Sequence, residues 1–234
     1  MTREERQLRA NIIAKCRWMN ASGLNQGTSG NISVRYKDSM LITPSATPYD
    51  AMKPEMIASM PLGSEDGLWT GPLRPSTEWR FHLDIMRSRP DVGSVVHTHS
   101  TYATVLAIAR KPIPACHYMI AAFGGDDIRC AGYARYGTSE LSELALAALE
   151  GRNGCLLANH GMIAVGANLD KAMWLAVELE TIARQYYLAL ALGSPHILDE
   201  GEIAEAARGF SAYEPQSPGA KVARGAAKAA QKRI

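Results

Sequence analysis

The chain has 234 residues, enough for one sizeable α/β domain with its own core. Hydrophobic residues make up 47% and charged residues 21%, an ordinary soluble composition. The net charge of +2 gives no reason to expect nucleic acid or a membrane as partner, and no apolar run is long enough to span a bilayer.

The opening residues Met1 to Arg6 are too charged for a signal peptide. From about Glu4 to Met19 the apolar residues Leu8, Ile12, Ile13, Cys16 and Met19 fall near helical spacing, and Ser22-Gly23 stops the helix. Asn25 to Asn31 is a loop rich in small polar residues. Ile32 to Tyr36 alternates as a strand, Lys37-Asp38-Ser39 turns it, and Met40 to Thr43 returns as its partner. Pro44, Pro48 and Pro54 break the next stretch, with a short helix expected near Lys53 to Ala58 and a polar connection at Gly63 to Gly67. Thr77 is placed to cap a helix running to about Arg87, which ends before Pro90.

Val95 and Val96 then read as the end of a buried strand carrying His97-Thr98-His99. Residues i and i+2 of a strand share a face, so His97 and His99 point the same way and can grip one ion. Ser100 is expected to cap a helix to about Ala109, and the chain beyond Pro112 and Pro114 has no clear period. Ser139 to Leu149 reads as a helix, Cys155 to Ala158 as a buried strand, and Met162 to Val165 as another after the interruption Asn159-His160-Gly161. A long amphipathic helix runs from Asp170 to about Leu192, with Trp174, Leu175, Leu179, Ile182 and Tyr186 as its inner stripe. A short helix near Glu200 to Arg208 follows. The domain is expected to occupy residues 1–215, and 216–234 to form a basic Ala/Gly-rich flexible tail. Cys16, Cys116, Cys130 and Cys155 form no CxxC pair and read as buried thiols of a cytoplasmic protein.

His160 supplies a third imidazole between two apolar runs, and the adjacent Gly161 would permit a close backbone approach. Three nitrogen ligands would leave the open position that a catalytic zinc-type site needs. Glu78, in the first turn of its helix, is either dipole compensation, a fourth ligand or a proton-transfer base. His82, in a helix, and His196, in a loop, are left out of this set. The loop from Asn25 to Asn31, the hydroxyls of Thr43 and Ser45, and Ser76-Thr77 at a helix start suit an anion, which together suggests a small phosphorylated substrate beside the metal.

Those segments resemble the class II aldolase/adducin family. The likeness is carried by Gly23 to Tyr36, Leu41-Ile42-Thr43-Pro44-Ser45, Ser76 to His82, Val95 to His99, Ile113 to Ala122, Tyr136-Gly137-Thr138 and Leu156 to Gly161, and it runs from about residue 5 to Tyr213. The resemblance implies a single α/β domain with a central, mostly antiparallel sheet flanked by helices. It implies a zinc-dependent aldolase (with Mn2+ or another divalent ion as the alternative) that cleaves a ketose 1-phosphate to dihydroxyacetone phosphate and an aldehyde through a metal-stabilised enediolate. Candidate substrates are L-fuculose 1-phosphate, 5-deoxyribulose 1-phosphate and 5-(methylthio)ribulose 1-phosphate. It makes His97, His99, His160 and Glu78 the metal ligands, with Glu78 also the base, and Gly30, Asn31, Ser45, Ala46, Ser76 and Thr77 the phosphate positions. Tyr118 matches a catalytic tyrosine supplied across the interface of a homotetramer, Tyr213 matches a residue that closes over the substrate, and His117 is structural.

Ala46 stands where the family often has glycine. Alanine there would cost on the order of 1 kcal/mol if the position needs φ > 0. Phe123, Asp126-Asp127 and Tyr136 differ from phosphoketose-cleaving members and are expected to border the aldehyde half of the substrate. The competing readings are a metal-dependent decarboxylase of the same family acting on a carboxylated substrate such as a pyridine dicarboxylate, a 4-epimerase, and a non-enzymatic binding module. Glu78 in place of aspartate speaks against the epimerase, and the three histidines speak against the binding module.

Overall fold

The computed structural model describes residues 1–63 and 67–210. Helix α1 (Arg3–Ala21) begins at Thr2, whose hydroxyl accepts the Glu5 N–H, and it buries Ile12, Ile13, Cys16 and Met19 as its spacing predicts. Strands β1 (Asn31–Tyr36) and β2 (Ser39–Ile42) form the expected hairpin. The helix expected near residues 53–58 is only a 3-10 turn, Pro54–Met56, because the chain goes straight on into edge strand β3 (Ala58–Pro61).

Then come α2 (Trp79–Ser88), β4 (Ser94–Thr98) and α3 (Thr101–Ile108). The aperiodic stretch after Pro112 holds β5 (Ile113–Pro114), a 3-10 segment (Tyr118–Phe123) and β6 (Asp127–Ala131). Helix α4 (Ser139–Ala148), β7 (Gly154–Leu157), β8 (Gly161–Gly166), α5 (Leu169–Leu192) and α6 (Glu200–Phe210) complete the described chain. In α5, Leu175, Leu179 and Ile182 are fully buried, while Trp174 and Tyr186 pack at the edge of the same core. No helix among the described residues is long and apolar enough to cross a membrane.

The strands form one eight-stranded sheet in the order β3-β2-β1-β4-β8-β7-β6-β5. Every named pairing is antiparallel except β6–β7, so the architecture is an α/β fold with a mostly antiparallel sheet flanked by helices. Alternation along β4 divides its side chains between two cores. Val96 joins the layer with Ile12, Leu156, Met162 and Leu175 from α1, α5 and the sheet. Val95 joins the layer with Phe81, Ile85, Leu141 and Ile163, beneath α2 and α4. His97 shares the Val95 face, so it points toward the side of the sheet that α2 covers.

Two helix starts differ from expectation. Glu78, not Thr77, occupies the N-terminal cap position of α2, and its side chain makes no capping bond. The Glu78 N–H is taken by Ser76 Oγ at 3.3 Å, which leaves the carboxylate free to point elsewhere. Ser100 sits at the cap of α3 but its hydroxyl makes no capping bond. Glu180, from the middle of α5, accepts the Tyr102 and Ala103 N–H groups instead, each at 2.9 Å.

Candidate metal centre and substrate cavity

The centre of the sheet brings His97, His99 and His160 together, with one ligand atom from each within 4.8 Å of the others. His97 lies opposite Ile163 on β8 and Asn31 on β1. His99 follows the end of β4, and His160 sits in the turn between β7 and β8. Gly161 is what permits the approach. A Cβ there would lie 2.5 Å from the Thr98 carbonyl oxygen and 2.9 Å from His99 Cδ2. Gly30 is constrained in the same way, since a Cβ would lie 2.8 Å from both the His97 carbonyl oxygen and Asn25 Oδ1. Asn159 holds the left-handed conformation at φ 55°, which asparagine tolerates and which turns His160 back toward the strand.

The Glu78 carboxylate completes the cluster. Its Oε2 lies 3.2 Å from His97 Nε2, and its Oε1 lies 3.0 Å from His160 Nε2. Burial alone would raise the Glu78 pKa, but when the facing His97 and His160 imidazoles are protonated their charge outweighs it and holds the carboxyl well below the usual carboxylate range. Burial lowers His99 to about 4, with His97 and His160 adding to the effect and Glu78 opposing it.

The donor set fits a divalent cation. His97 Nδ1 lies 2.9 Å from the Met162 carbonyl oxygen, which can only accept, so Nδ1 carries the proton and Nε2 presents a lone pair. That lone pair faces Glu78 Oε2 and lies 3.1 Å from His99 Nε2. Glu78 Oε1 is buried and has no hydrogen-bond partner among the described residues. Converging lone pairs and an orphaned carboxylate oxygen are what a cation with imidazole and carboxylate ligands relieves. The carbonyl behind His97 also fixes its tautomer, as a supporting partner of a metal-ligating histidine does.

A cavity of about 380 Å³ opens above these side chains. One wall carries Gly30, Asn31, Ser45, Ala46, Ser76 and Thr77, so all six residues expected at the phosphate line one space together with Glu78, His99 and His160. Two loops of that wall are tied together, the Ser45 N–H donating to the Arg74 carbonyl at 3.0 Å and the Ser76 N–H to the Thr43 carbonyl at 2.9 Å. Ala46 has φ 50°, the left-handed region where alanine carries strain.

Beyond the 25–31 loop and the 43–45 segment, three further residues line the cavity without having been singled out for it by pattern: Tyr133, Ala134 and Asn159. Tyr133 and Tyr136, 58% and 62% exposed, stand in the aperiodic loop after β6. Tyr136 therefore does border the cavity, but its companions in that expectation do not. Phe123 is fully buried in the core, and Asp126 and Asp127 are both ion-paired to Arg152.

His82, left out of the ligand set on sequence, is fully buried beside the site on the packing face of α2. Its Nε2 lies 2.5 Å from Asn31 Oδ1 and its Nδ1 2.7 Å from Ser33 Oγ. Burial lowers its pKa to about 3, with His97 adding and Glu78 opposing. The signal was present in the helix period, because His82 stands three and four residues before the buried Ile85 and Met86.

Tyr118 is not in this cavity. It is 55% exposed and lines a separate cavity of about 520 Å³ with His117, Trp174, Glu178 and Phe210. Tyr213 and the basic tail lie outside the described residues.

Comparison with known proteins agrees with this arrangement. The family profile of the class II aldolase and adducin N-terminal domain matches residues 10–187. The 5-methylthioribulose-1-phosphate/5-deoxyribulose-1-phosphate aldolase of Rhodospirillum rubrum is 50% identical, over 88% of this chain and 92% of its own length. The L-fuculose phosphate aldolase of Escherichia coli is 46% identical, over 90% of this chain and 97% of its own. A solved structure of an L-fuculose 1-phosphate aldolase superposes with a TM-score of 0.84 at 40% identity, covering 88% of this chain and 96% of that one. From the sheet order to the histidine cluster, the chain belongs to the class II aldolase and adducin family.

Proposed function

We propose that this protein is a zinc-dependent aldolase that cleaves a ketose 1-phosphate to dihydroxyacetone phosphate and an aldehyde, working as a cytoplasmic homotetramer. One observation carries the reading: Glu78, His99 and His160, with His97 beneath them, share a cavity with six residues suited to a phosphate. The names of the similar proteins support the substrate class, since they pair L-fuculose 1-phosphate with 5-deoxyribulose and 5-methylthioribulose 1-phosphates.

His97, His99, His160 and Glu78 hold the ion, which when bound supplies Lewis-acid polarisation of the ketose oxygens. Gly30, Asn31, Ser45, Ala46, Ser76 and Thr77 anchor the phosphate, so that the reacting carbons lie beside the carboxylate. Glu78 moves the proton at the carbon of dihydroxyacetone phosphate that forms or breaks the bond. Its lowered pKa keeps it ionised at neutral pH, the state a base requires. Tyr118 handles the proton on the aldehyde oxygen, reaching the site from a neighbouring subunit. No buried lysine is needed, because no Schiff base forms.

The test is a substrate panel on the purified protein, with L-fuculose 1-phosphate, 5-deoxyribulose 1-phosphate, 5-(methylthio)ribulose 1-phosphate and pyridine dicarboxylates. Release of dihydroxyacetone phosphate is expected from at least one ketose, with about one zinc per chain by elemental analysis. His99→Ala is expected to abolish both while the circular-dichroism spectrum is kept. Carbon dioxide from a dicarboxylate, with no ketose cleaved, would overturn the assignment.

A further inference from the structure

Behind Glu78 runs a buried chain of hydrogen bonds whose direction can be deduced from its end. The ionised Glu78 carboxylate can only accept, so the group 2.9 Å from its Oε2 is the Asn31 amide nitrogen. That fixes the amide, and its oxygen faces His82 Nε2 at 2.5 Å. An amide oxygen also only accepts, so His82 Nε2 carries the proton. His82 Nδ1 is then bare and accepts from the Ser33 hydroxyl at 2.7 Å. The run Ser33–His82–Asn31–Glu78 therefore donates one way along its whole length.

The local structure holds each member in place. Asn31 and Ser33 are alternate residues of β1 and share a face, with Asn31 opposite His97. Ser33 and His82 are fully buried, Asn31 and Glu78 nearly so. The Phe81 ring stacks on the His82 imidazole at 4.6 Å and 21°. At the far end only one carboxylate oxygen is engaged by the run, because Glu78 Oε1 has no hydrogen-bond partner among the described residues.

We infer that His82 is a positioning residue for Glu78: its Nε2–H locks the Asn31 amide with the NH₂ group toward the carboxylate, tying down Oε2 and leaving Oε1 for the ion and the substrate proton. The inference rests on the reading of Glu78 as ligand and base. Without the imidazole the amide is free to flip. Its oxygen would then face the carboxylate, and Glu78 would lose its fixed orientation. Asn31 also lines the substrate cavity, so the same lock sets the amide that substrate meets.

The tautomer is tested first, in the intact protein with and without zinc, by nitrogen NMR of labelled histidine, with the His82 signals identified by their loss in His82→Gln. A protonated Nε2 with a bare Nδ1 is expected, and the opposite tautomer overturns the proposal. Zinc affinity, measured by competition with a chromophoric chelator, is expected to fall about 10- to 100-fold in His82→Leu and in Asn31→Ala. The double variant should be no weaker than the worse single one, because the two act through one path. His82→Gln, which keeps a donor near the Nε2 position, should recover most of the loss. Unchanged affinity in His82→Leu, or additive losses in the double variant, overturns the lock. Should His82→Leu fail to fold, Ser33→Ala serves in its place, with a shift in the His82 tautomer and about tenfold weaker zinc binding expected. Wild-type tautomer and affinity in Ser33→Ala overturn the proposal too. None of these readouts depends on which ketose is cleaved, so failure of the aldolase assignment would leave them intact.

Discussion

At the scale of single residues, backbone strain and buried charge both have measurable consequences. Ala46 sits in the cavity wall with φ 50°. An L-residue in that region carries about 1–2 kcal/mol of strain, and glycine gives back about 0.5–1 kcal/mol through its freer unfolded chain. Ala46→Gly is therefore expected to stabilise the protein by about 0.5 kcal/mol, read as a higher denaturant midpoint with an unchanged slope. A loss of stability would show that the alanine methyl packs usefully in the wall. The buried histidines give a second consequence. His82 is lowered from 6.5 to about 3, and His99 to about 4. A histidine whose pKa is depressed by folding binds fewer protons in the native state than in the unfolded chain. Stability therefore rises with pH through that window and falls as pH drops from about 6.5 toward 4. The Glu78 contribution has the same sign but begins only below 4.5, since its folded pKa is lowered from that value. Urea unfolding of metal-free protein at pH 7.5 and pH 5.5 should show the lower midpoint at pH 5.5. Equal midpoints would mean that the histidines are not buried in their neutral forms.

At the scale of elements, the legible parts are those whose sequence period survives packing. Helix α1, the β1–β2 hairpin, β4 and α5 each present a clean apolar stripe or alternation, and each forms where that pattern places it. Strands β3 and β5 left no such trace: they are short, lie at the two edges of the sheet, and contain Pro61 and Pro114, which a central strand would not tolerate. The caps expected from sequence, Thr77 and Ser100, do not form. Thr2, Thr138 and Asn168, which were not singled out as caps, each accept an N–H from three residues on, whereas α3 is capped by a residue far along the chain. The histidine cluster was legible because extended geometry puts His97 and His99 on one face, and a glycine marks His160. The His82–Asn31 contact was not, although the helix period marks His82 for burial, because Asn31 stands on β1, 51 residues away in sequence. The Glu180 cap yields the prediction that belongs here. Glu180→Ala removes the acceptor for two N–H groups at the start of α3 and should cost about 1–2 kcal/mol. The melting temperature should fall by about 4 °C in a protein of this size, with zinc content unchanged. A wild-type melting curve would show that water replaces the carboxylate at no cost.

At the scale of the whole molecule, the cavities divide the chemistry. The cavity over the histidines gathers Glu78, His99, His160 and the loops expected at the phosphate, and Tyr118 lies outside it in a separate cavity with His117, Trp174 and Phe210. The Tyr118 ring is ordered there by local stacking, 4.6 Å from His117 and 5.9 Å from the parallel Phe210 ring, yet it remains more than half exposed. A phenol held toward solvent, away from its own chain's metal centre, is suited to serve the centre of another copy. Two variants test this. Tyr118→Phe should lower turnover while zinc content stays at the wild-type level, and His99→Ala should lose zinc and activity together. Neither should work alone. Mixed in equal amounts, dissociated and reassembled, they should regain activity, because some sites then pair an intact metal centre with an intact tyrosine from the neighbour. With random assembly around a closed ring, a chain carrying His99 is followed by one carrying Tyr118 in about a quarter of positions, which sets the expected recovery near a quarter of wild type. A mixture no more active than the sum of its parts would place Tyr118 outside the reaction, or in the service of its own chain. Recovery would establish both that the sites lie between subunits and that Tyr118 is the residue that crosses.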